Sequence, residues 1–358
     1  MTAPFPAALP GDAAYVSPTH LRTPFRSFLV SFDKGIYWLR MPQDTGKTQF
    51  IRGIVAKRPP KEDAAPEGID SAISSSLRAI AVELAPGAGA QALAGAVKAA
   101  FEAEFGPAGA AGAEALSGLG DPEEAPAAFA TWLARLGDVA RATDGKRLLV
   151  CIDGLDAGAG GTAPSVLDVL PGIGQMPGGV LLLLTSRPKE AWPDGLFAQA
   201  EAKFASGPAV AVQDVGVEDA PYVDTLRRLF QERLRPVLRA RAIAILHALL
   251  ETRATFEKGG RDPRLTGDAV LRDALKDDWK KLTNKFPRYS GQLLPVASLV
   301  PLLDQFDRLW VDVMDRGERK FRYVHLIIQR IADGTLPVED VAGLPRGADL
   351  AARLGVPA

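Results

Sequence analysis

The sequence predicts an α/β domain with a mostly parallel sheet flanked by helices, followed by an all-helical region. Three observations predict it. Arg147-Leu148-Leu149-Val150-Cys151-Ile152-Asp153 and Val180-Leu181-Leu182-Leu183-Leu184-Thr185-Ser186 are continuous apolar runs, the pattern of strands buried on both faces. Helical patterns separate the strand-like runs, which calls for crossover connections and parallel pairing. Beyond Asp214 only helical spacing remains.

In chain order, residues 1–24 are rich in Ala and Pro and read as an extended arm. Phe28-Leu29-Val30 is a short strand or the end of a helix. Asp33-Lys34-Gly35 then turns into a strand starting at Ile36. Gly46-Lys47-Thr48 opens a helical run through Val55, and 57–63 is a charged, Pro-broken loop. Ile73, Leu77, Ile80, Ala81 and Leu84 fall at the spacing of one helix face. Val97, Phe101 and Phe105 predict a further helix, and the Gly/Pro segments over 106–122 read as surface linkers. Phe129, Leu133 and Leu136 begin a helix that stops near Gly145. Ala209-Val210-Ala211-Val212 is a weaker strand. Tyr222, Leu226, Leu229, Phe230, Leu234 and Val237 share a helix face, as do Ile243, Leu246, Leu249 and Leu250. Further helices are expected near 267–285, 291–310 and 320–333. The predicted organisation is thus an arm over 1–24, an α/β domain over 25–214 and a helical domain over 215–358, with no internal repeat.

Composition narrows the function. The 358 residues suffice for two domains, and 47% hydrophobic with 24% charged residues is ordinary for a globular protein. A net charge of −1 supplies no basic field for nucleic acid or an anionic membrane. The single cysteine, Cys151, lies in an apolar run, which excludes a disulfide framework and a cysteine zinc site. His20, His247 and His325 have no metal spacing. No apolar run reaches the ~18 residues of a membrane span, and the N-terminus lacks a signal-peptide pattern. The expectation is a soluble, cytoplasmic protein.

The chemistry concentrates at three strand ends. Ile36-Tyr37-Trp38-Leu39-Arg40 leads through Met41-Pro42-Gln43-Asp44-Thr45 into Gly46-Lys47-Thr48 and Gln49. Strand, loop and helix in that order suit a phosphate, because loop and helix N–H groups and the helix dipole favour an anion. Lys47 would neutralise the outer phosphates and Thr48 would ligate Mg²⁺. Asp153 closes the second strand and could hold Mg²⁺ directly or through water. Asp156 could orient or activate water, and Arg187, after the next strand, could sense the outermost phosphate. A strand's C-terminal end is where an α/β sheet carries its site.

With those residues in hand, the chain resembles the STAND class of P-loop NTPases, closest to its NACHT-like members. Asp153-Gly154-Leu155-Asp156 looks like that family's Walker B segment and Thr185-Ser186-Arg187-Pro188 like its sensor 1. Asp214 through Val223 is similar to the hand-over from sheet to helical domain. Gly317 through Gly334, with Phe321-Arg322-Tyr323, resembles a late helix of the bundle, and Leu344-Pro345-Arg346-Gly347 the turn after it. The resemblance spans roughly 25–350. It implies ATP or ADP with Mg²⁺ as ligands, Thr45, Gly46, Lys47, Thr48 and Gln49 around the nucleotide, Thr48 and Asp153 at the metal, and Asp156 and Arg187 as catalytic residues. It also implies a switch with slow hydrolysis, in which nucleotide state opens or closes the helical domain. The open form would oligomerise with itself or act on an effector or sensor protein of another chain, as in bacterial conflict or antiphage signalling.

The chain departs from the family in its loop. Met41 and Asp44 replace glycines, which restricts the backbone and adds a like charge near the anion. Ala157 stands where many relatives have a second consecutive acid. The family's second sheet strand has no evident counterpart between Arg58 and Gly145. An alternative is therefore a non-hydrolysing descendant acting as a scaffold or protein-binding module. An unrelated α/β enzyme or a DNA-linked ATPase is a third.

Overall fold

Five parallel strands form one sheet in the order β2-β3-β4-β1-β5: β1 (Gly35–Arg40), β2 (Leu77–Glu83), β3 (Arg147–Asp153), β4 (Val180–Ser186) and β5 (Val210–Asp214). This is a computed structural model, and it describes residues 18–55, 76–112, 123–160, 164–193, 195–231 and 300–354, with 233, 234 and 237. Every residue of β4 is buried, as its unbroken apolar run requires of a strand with neighbours on both edges.

Alternation along β1 divides the core in two. Ile36 and Trp38 face the same side as Val150, Ile152, Leu182 and Leu184, and pack with α3 (Ala90–Gly112), α4 (Ala125–Asp144) and α7 (Leu196–Phe204). Trp38 is fully buried, its ring 5.7 Å from Phe197 and 6.4 Å from Phe204. Tyr37 faces the other side, with Phe25 at 5.1 Å and Phe28 at 5.3 Å from α1 (Thr19–Ser31). Phe25 in turn meets Phe50 of α2 (Lys47–Val55) at 5.7 Å. The neighbours β1 and β4 therefore send their following helices, α2 and α7, to opposite faces. That divergence opens a crevice at their C-terminal ends.

Three expectations are corrected. The helix face read from Leu77, Ile80, Ala81 and Leu84 is strand β2 with Leu84 just after it, and β2 is paired along its length with β3 from Leu77↔Arg147 to Glu83↔Asp153. A short apolar run satisfies either period, and the ladder on β3 decides it. Ile73 lies outside the described residues. This edge strand lies in the stretch between Arg58 and Gly145 where the sequence shows no evident strand.

The extended arm over 1–24 gives way to helix α1 at Thr19, while 1–17 lie outside the described residues. Pro24 inside α1 cannot donate to the His20 carbonyl four residues back. Gln213 Nε2 takes that carbonyl at 2.9 Å, and Gln213 Oε1 accepts the Tyr37 hydroxyl at 2.5 Å. One side chain of β5 thus repairs the helix and docks it on β1. Phe28-Leu29-Val30 is the end of this helix.

Helix α3 carries Val97, Phe101 and Phe105 as expected, then kinks at Gly106 and runs on to Gly112 instead of becoming a linker. Residues 113–122 lie outside the described residues. Helix α4 ends on Gly145, whose φ of 71° and N–H bond to Arg141 make the left-handed cap. Short helices α5 (Leu155–Ala159) and α6 (Val166–Val169) follow β3.

The chain divides into two compact units, Met1–Thr225 and Leu226–Ala358. The expected boundary at 214 is the end of β5, whereas this division falls within helix α8, over 220–231. In the second unit, α9 (Val300–Arg316) and α10 (Phe321–Ala332) are followed by a 3₁₀ segment (Val338–Gly343) and α11 (Gly347–Arg353). Tyr323, Val324, Ile327, Ile328 and Ile331 give α10 its buried stripe. The helices expected around 243–250 and 267–285 lie outside the described residues. Among the described residues, no helix is long and apolar enough to cross a membrane.

Candidate functional site

The loop after β1 is built around its own lysine. Lys47 begins α2, and its Nζ donates to the carbonyls of Met41 and Pro42, each at 2.7 Å. Thr45 Oγ1 also donates to the Pro42 carbonyl, at 2.6 Å. The turn that brings these carbonyls round needs left-handed backbone at two places. Gly46 has φ 102°, which only glycine adopts at low cost, and Asp44 has φ 62°, which Asp tolerates better than most residues. Asp44 thus occupies a backbone conformation that would suit a glycine. Gln49 is half-exposed in the first turn of α2.

The ends of β3 and β4 supply the facing wall. Asp153 is buried, and its Oδ2 accepts the Thr48 hydroxyl at 2.6 Å. Its Oδ1 accepts the hydroxyl of Thr185, whose oxygen in turn accepts the Gly154 N–H at 3.3 Å. Gly154, at φ 82°, lets the chain leave β3 and start α5 with Asp156 in its first turn. Asp156 is buried too. Its two oxygens take the Arg187 backbone N–H at 2.9 Å and Arg187 Nε at 2.5 Å.

Burial lowers the pKa of Lys47, against the carboxylates of Asp153 and Asp156, which raise it; the Arg187 cation lowers it further and Asp44 raises it. Two cations and three carboxylates thus share one electrostatic neighbourhood. Arg40, at the end of β1, is committed to Asp214 by two bonds of 2.5 Å and stacks over Trp38.

Thr48 and Asp153 are hard oxygen donors of the kind Mg²⁺ takes. They are two, and among the described residues no group of three or more His, Cys, Asp and Glu side chains could hold a metal.

The structure thus brings Lys47, Thr48, Asp153, Asp156 and Arg187 together from three strand ends. Sequence reasoning missed the role of Thr185, the second hydroxyl on Asp153. It also missed Glu83, exposed in register beside Asp153 at the end of β2, because the spacing of that segment predicts a helix. A groove of about 470 Å³ lies beyond β5, lined by Thr19, His20, Gln213, Asp214, Pro221 and Tyr222 among others.

Fold and site together define an α/β domain with a five-stranded parallel sheet flanked by helices and a charged crevice at the ends of β1, β3 and β4. In comparison with known proteins, the chain matches no family model and no curated protein.

Proposed function

We propose that the crevice binds a nucleoside triphosphate with Mg²⁺, and that the chain is an ATP-binding molecular switch of the STAND, NACHT-like type with slow hydrolysis. One observation carries this reading. Thr48, in the first turn of the helix opened by Gly46-Lys47, is hydrogen-bonded at 2.6 Å to Asp153 at the end of a different strand. A hydroxyl and a carboxylate on one spot, beside a lysine at a helix N-terminus, are what a Mg²⁺–phosphate group calls for.

Lys47 would exchange the Met41 and Pro42 carbonyls for phosphate oxygens, a stronger charge-assisted bond. Thr48 and Asp153 would hold Mg²⁺, whose chemistry is to neutralise charge on the phosphates. Arg187 would meet the outermost phosphate. Coupling of nucleotide state to the helical unit, to self-association or to an effector belongs to the same proposal.

The non-hydrolysing scaffold has a specific observation in its favour: both oxygens of Asp156 are engaged by Arg187. Calorimetric titration of ATP·Mg²⁺ into the parent and Lys47→Ala tests the site, and ATP turnover by the parent separates the two readings. Binding in the parent with loss in the variant is the expected result; parental affinity in Lys47→Ala overturns the assignment.

A further inference from the structure

Asp156 spends both of its oxygens on a single residue. Oδ1 accepts the Arg187 backbone N–H at 2.9 Å and Oδ2 accepts Arg187 Nε at 2.5 Å, with 4% of the Asp156 side chain exposed. A carboxylate that activates water must present a lone pair to that water. Two of its roughly four lone-pair sites are taken, and burial encloses the rest.

The same residue is braced from its other side. The Arg187 carbonyl accepts Trp192 Nε1 at 3.0 Å and Ser186 Oγ at 3.0 Å. Trp192 is anchored in turn against Trp38, ring to ring at 6.1 Å. The Arg187 N–H, C=O and Nε are thereby all fixed, while its side chain remains 39% exposed. Its charge reaches Lys47, where it opposes protonation. A planar guanidinium held at Nε, on a residue whose backbone is also fixed, presents its Nη groups in a restricted orientation, which a lysine could not do.

We propose that Asp156 is a positioning residue: it holds Arg187 by its backbone N–H and its Nε, so that the Nη groups meet the outermost phosphate of a bound nucleoside triphosphate and distinguish it from a diphosphate. The proposal rests on the nucleotide reading above. It reassigns Asp156 from activating water to sensing, through Arg187, whether the third phosphate is present.

The test is calorimetric affinity for ATP·Mg²⁺ and ADP·Mg²⁺ in the parent, Asp156→Asn, Arg187→Ala and the double variant. Asp156→Asn should lower the ATP-to-ADP affinity ratio about tenfold, the scale of one charge-assisted hydrogen bond, with a smaller change for ADP alone. Arg187→Ala should lower it at least as much, and the double variant no further, because the two residues act as one unit. A parental ratio in Asp156→Asn, or losses that multiply in the double variant, overturns the proposal. So does an equal fall in both affinities, the mark of a merely structural residue. A parent that binds neither nucleotide removes the underlying site reading, a different outcome from a parent that binds both. Should Asp156→Asn not fold, Arg187→Lys carries the test at a partly exposed side chain. It keeps the charge but loses the fork, and a parental ratio there overturns the proposal.

Discussion

The two walls of the crevice hold their charged groups by different means. On the β1 wall, Lys47 is bound by carbonyls five and six residues back along the same loop. On the β3–β4 wall, each bond joins distant parts of the chain: Arg187 to Asp156 across 31 residues, Thr185 to Asp153 across 32, and Thr48 to Asp153 across 105. The first arrangement is complete once the loop has turned. The second exists only while three strands stand in register. Damage to the first wall should cost ligand affinity alone, whereas damage to the second should cost stability as well.

The largest effect expected from breaking this contrast is Lys47→Ala. It should lower ATP·Mg²⁺ affinity on the order of a hundredfold, the worth of one or two charge-assisted hydrogen bonds. Its half-buried position at the start of α2 should leave the melting temperature within about 2–4 °C of the parent. Calorimetry and a thermal melt on the same sample check both halves. A large drop in melting temperature would mean that the β1 wall is a structural strut.

Asp153→Asn should behave in the opposite proportion. An amide offers one acceptor where the Thr48 and Thr185 hydroxyls now find two, and its NH₂ would face a hydroxyl. About 1–3 kcal/mol of stability should be lost for the mispaired buried group. Nucleotide affinity should fall about tenfold in Mg²⁺ and little in EDTA. Denaturant melts read the first loss and titrations with and without Mg²⁺ the second; unchanged stability would refute the claim that this wall is welded to the sheet.

A pH titration sharpens the contrast further. Burial pushes the Lys47 pKa below the ordinary lysine value. Between the folded and unfolded values the unfolded chain binds more protons, so this group's contribution to stability rises with pH across that alkaline window. Nucleotide affinity should go the other way, falling several-fold as pH rises through the lowered value and the ammonium is lost. Lys47→Arg keeps its charge and should flatten that alkaline fall, whatever its absolute affinity. An equal fall in both proteins would assign the titration to another group.

The same division between local and distant contacts explains what was legible in the sequence. Strands β3 and β4 were readable because a strand with neighbours on both edges leaves an unbroken apolar run. The Gly46-Lys47-Thr48 turn was readable because strand, loop and helix follow one another locally. Strand β2 was not: at the sheet edge its half-buried Arg78 and Ala79 interrupt the run, and Leu77, Ala81 and Leu84 mimic a helix face. Helix α1 was hidden by Pro24, whose missing hydrogen bond is replaced by Gln213, 193 residues from His20. For the site, residue types at strand ends named Asp153, Asp156 and Arg187. Only the folded sheet pairs Asp156 with Arg187 and Asp153 with two hydroxyls, and those pairings bear on what each acid can do.

The smallest expected effect belongs to Asp44→Gly, on the β1 wall. Asp44 already sits at φ 62°, so glycine would take the same backbone without the Cβ penalty, which is below about 1–2 kcal/mol for an aspartate. Against this, glycine adds freedom to the unfolded chain, and the two terms should nearly cancel in stability. The electrostatic term then decides the outcome. Asp44 acts at Lys47 as an opposing charge that favours its protonation, so its removal takes a little from the cation while removing a repulsion from the phosphates. The phosphates carry more charge than the lysine, which favours tighter ATP·Mg²⁺ binding by a few-fold at low salt. That gain should shrink toward nothing as ionic strength rises to physiological values and the Debye length falls to about 8 Å. Titrations of parent and variant at two salt concentrations measure it. Weaker binding in the variant at both would mean that Asp44 contacts the metal shell or the ribose, and the β1 wall would then include Asp44 among its ligand-binding groups.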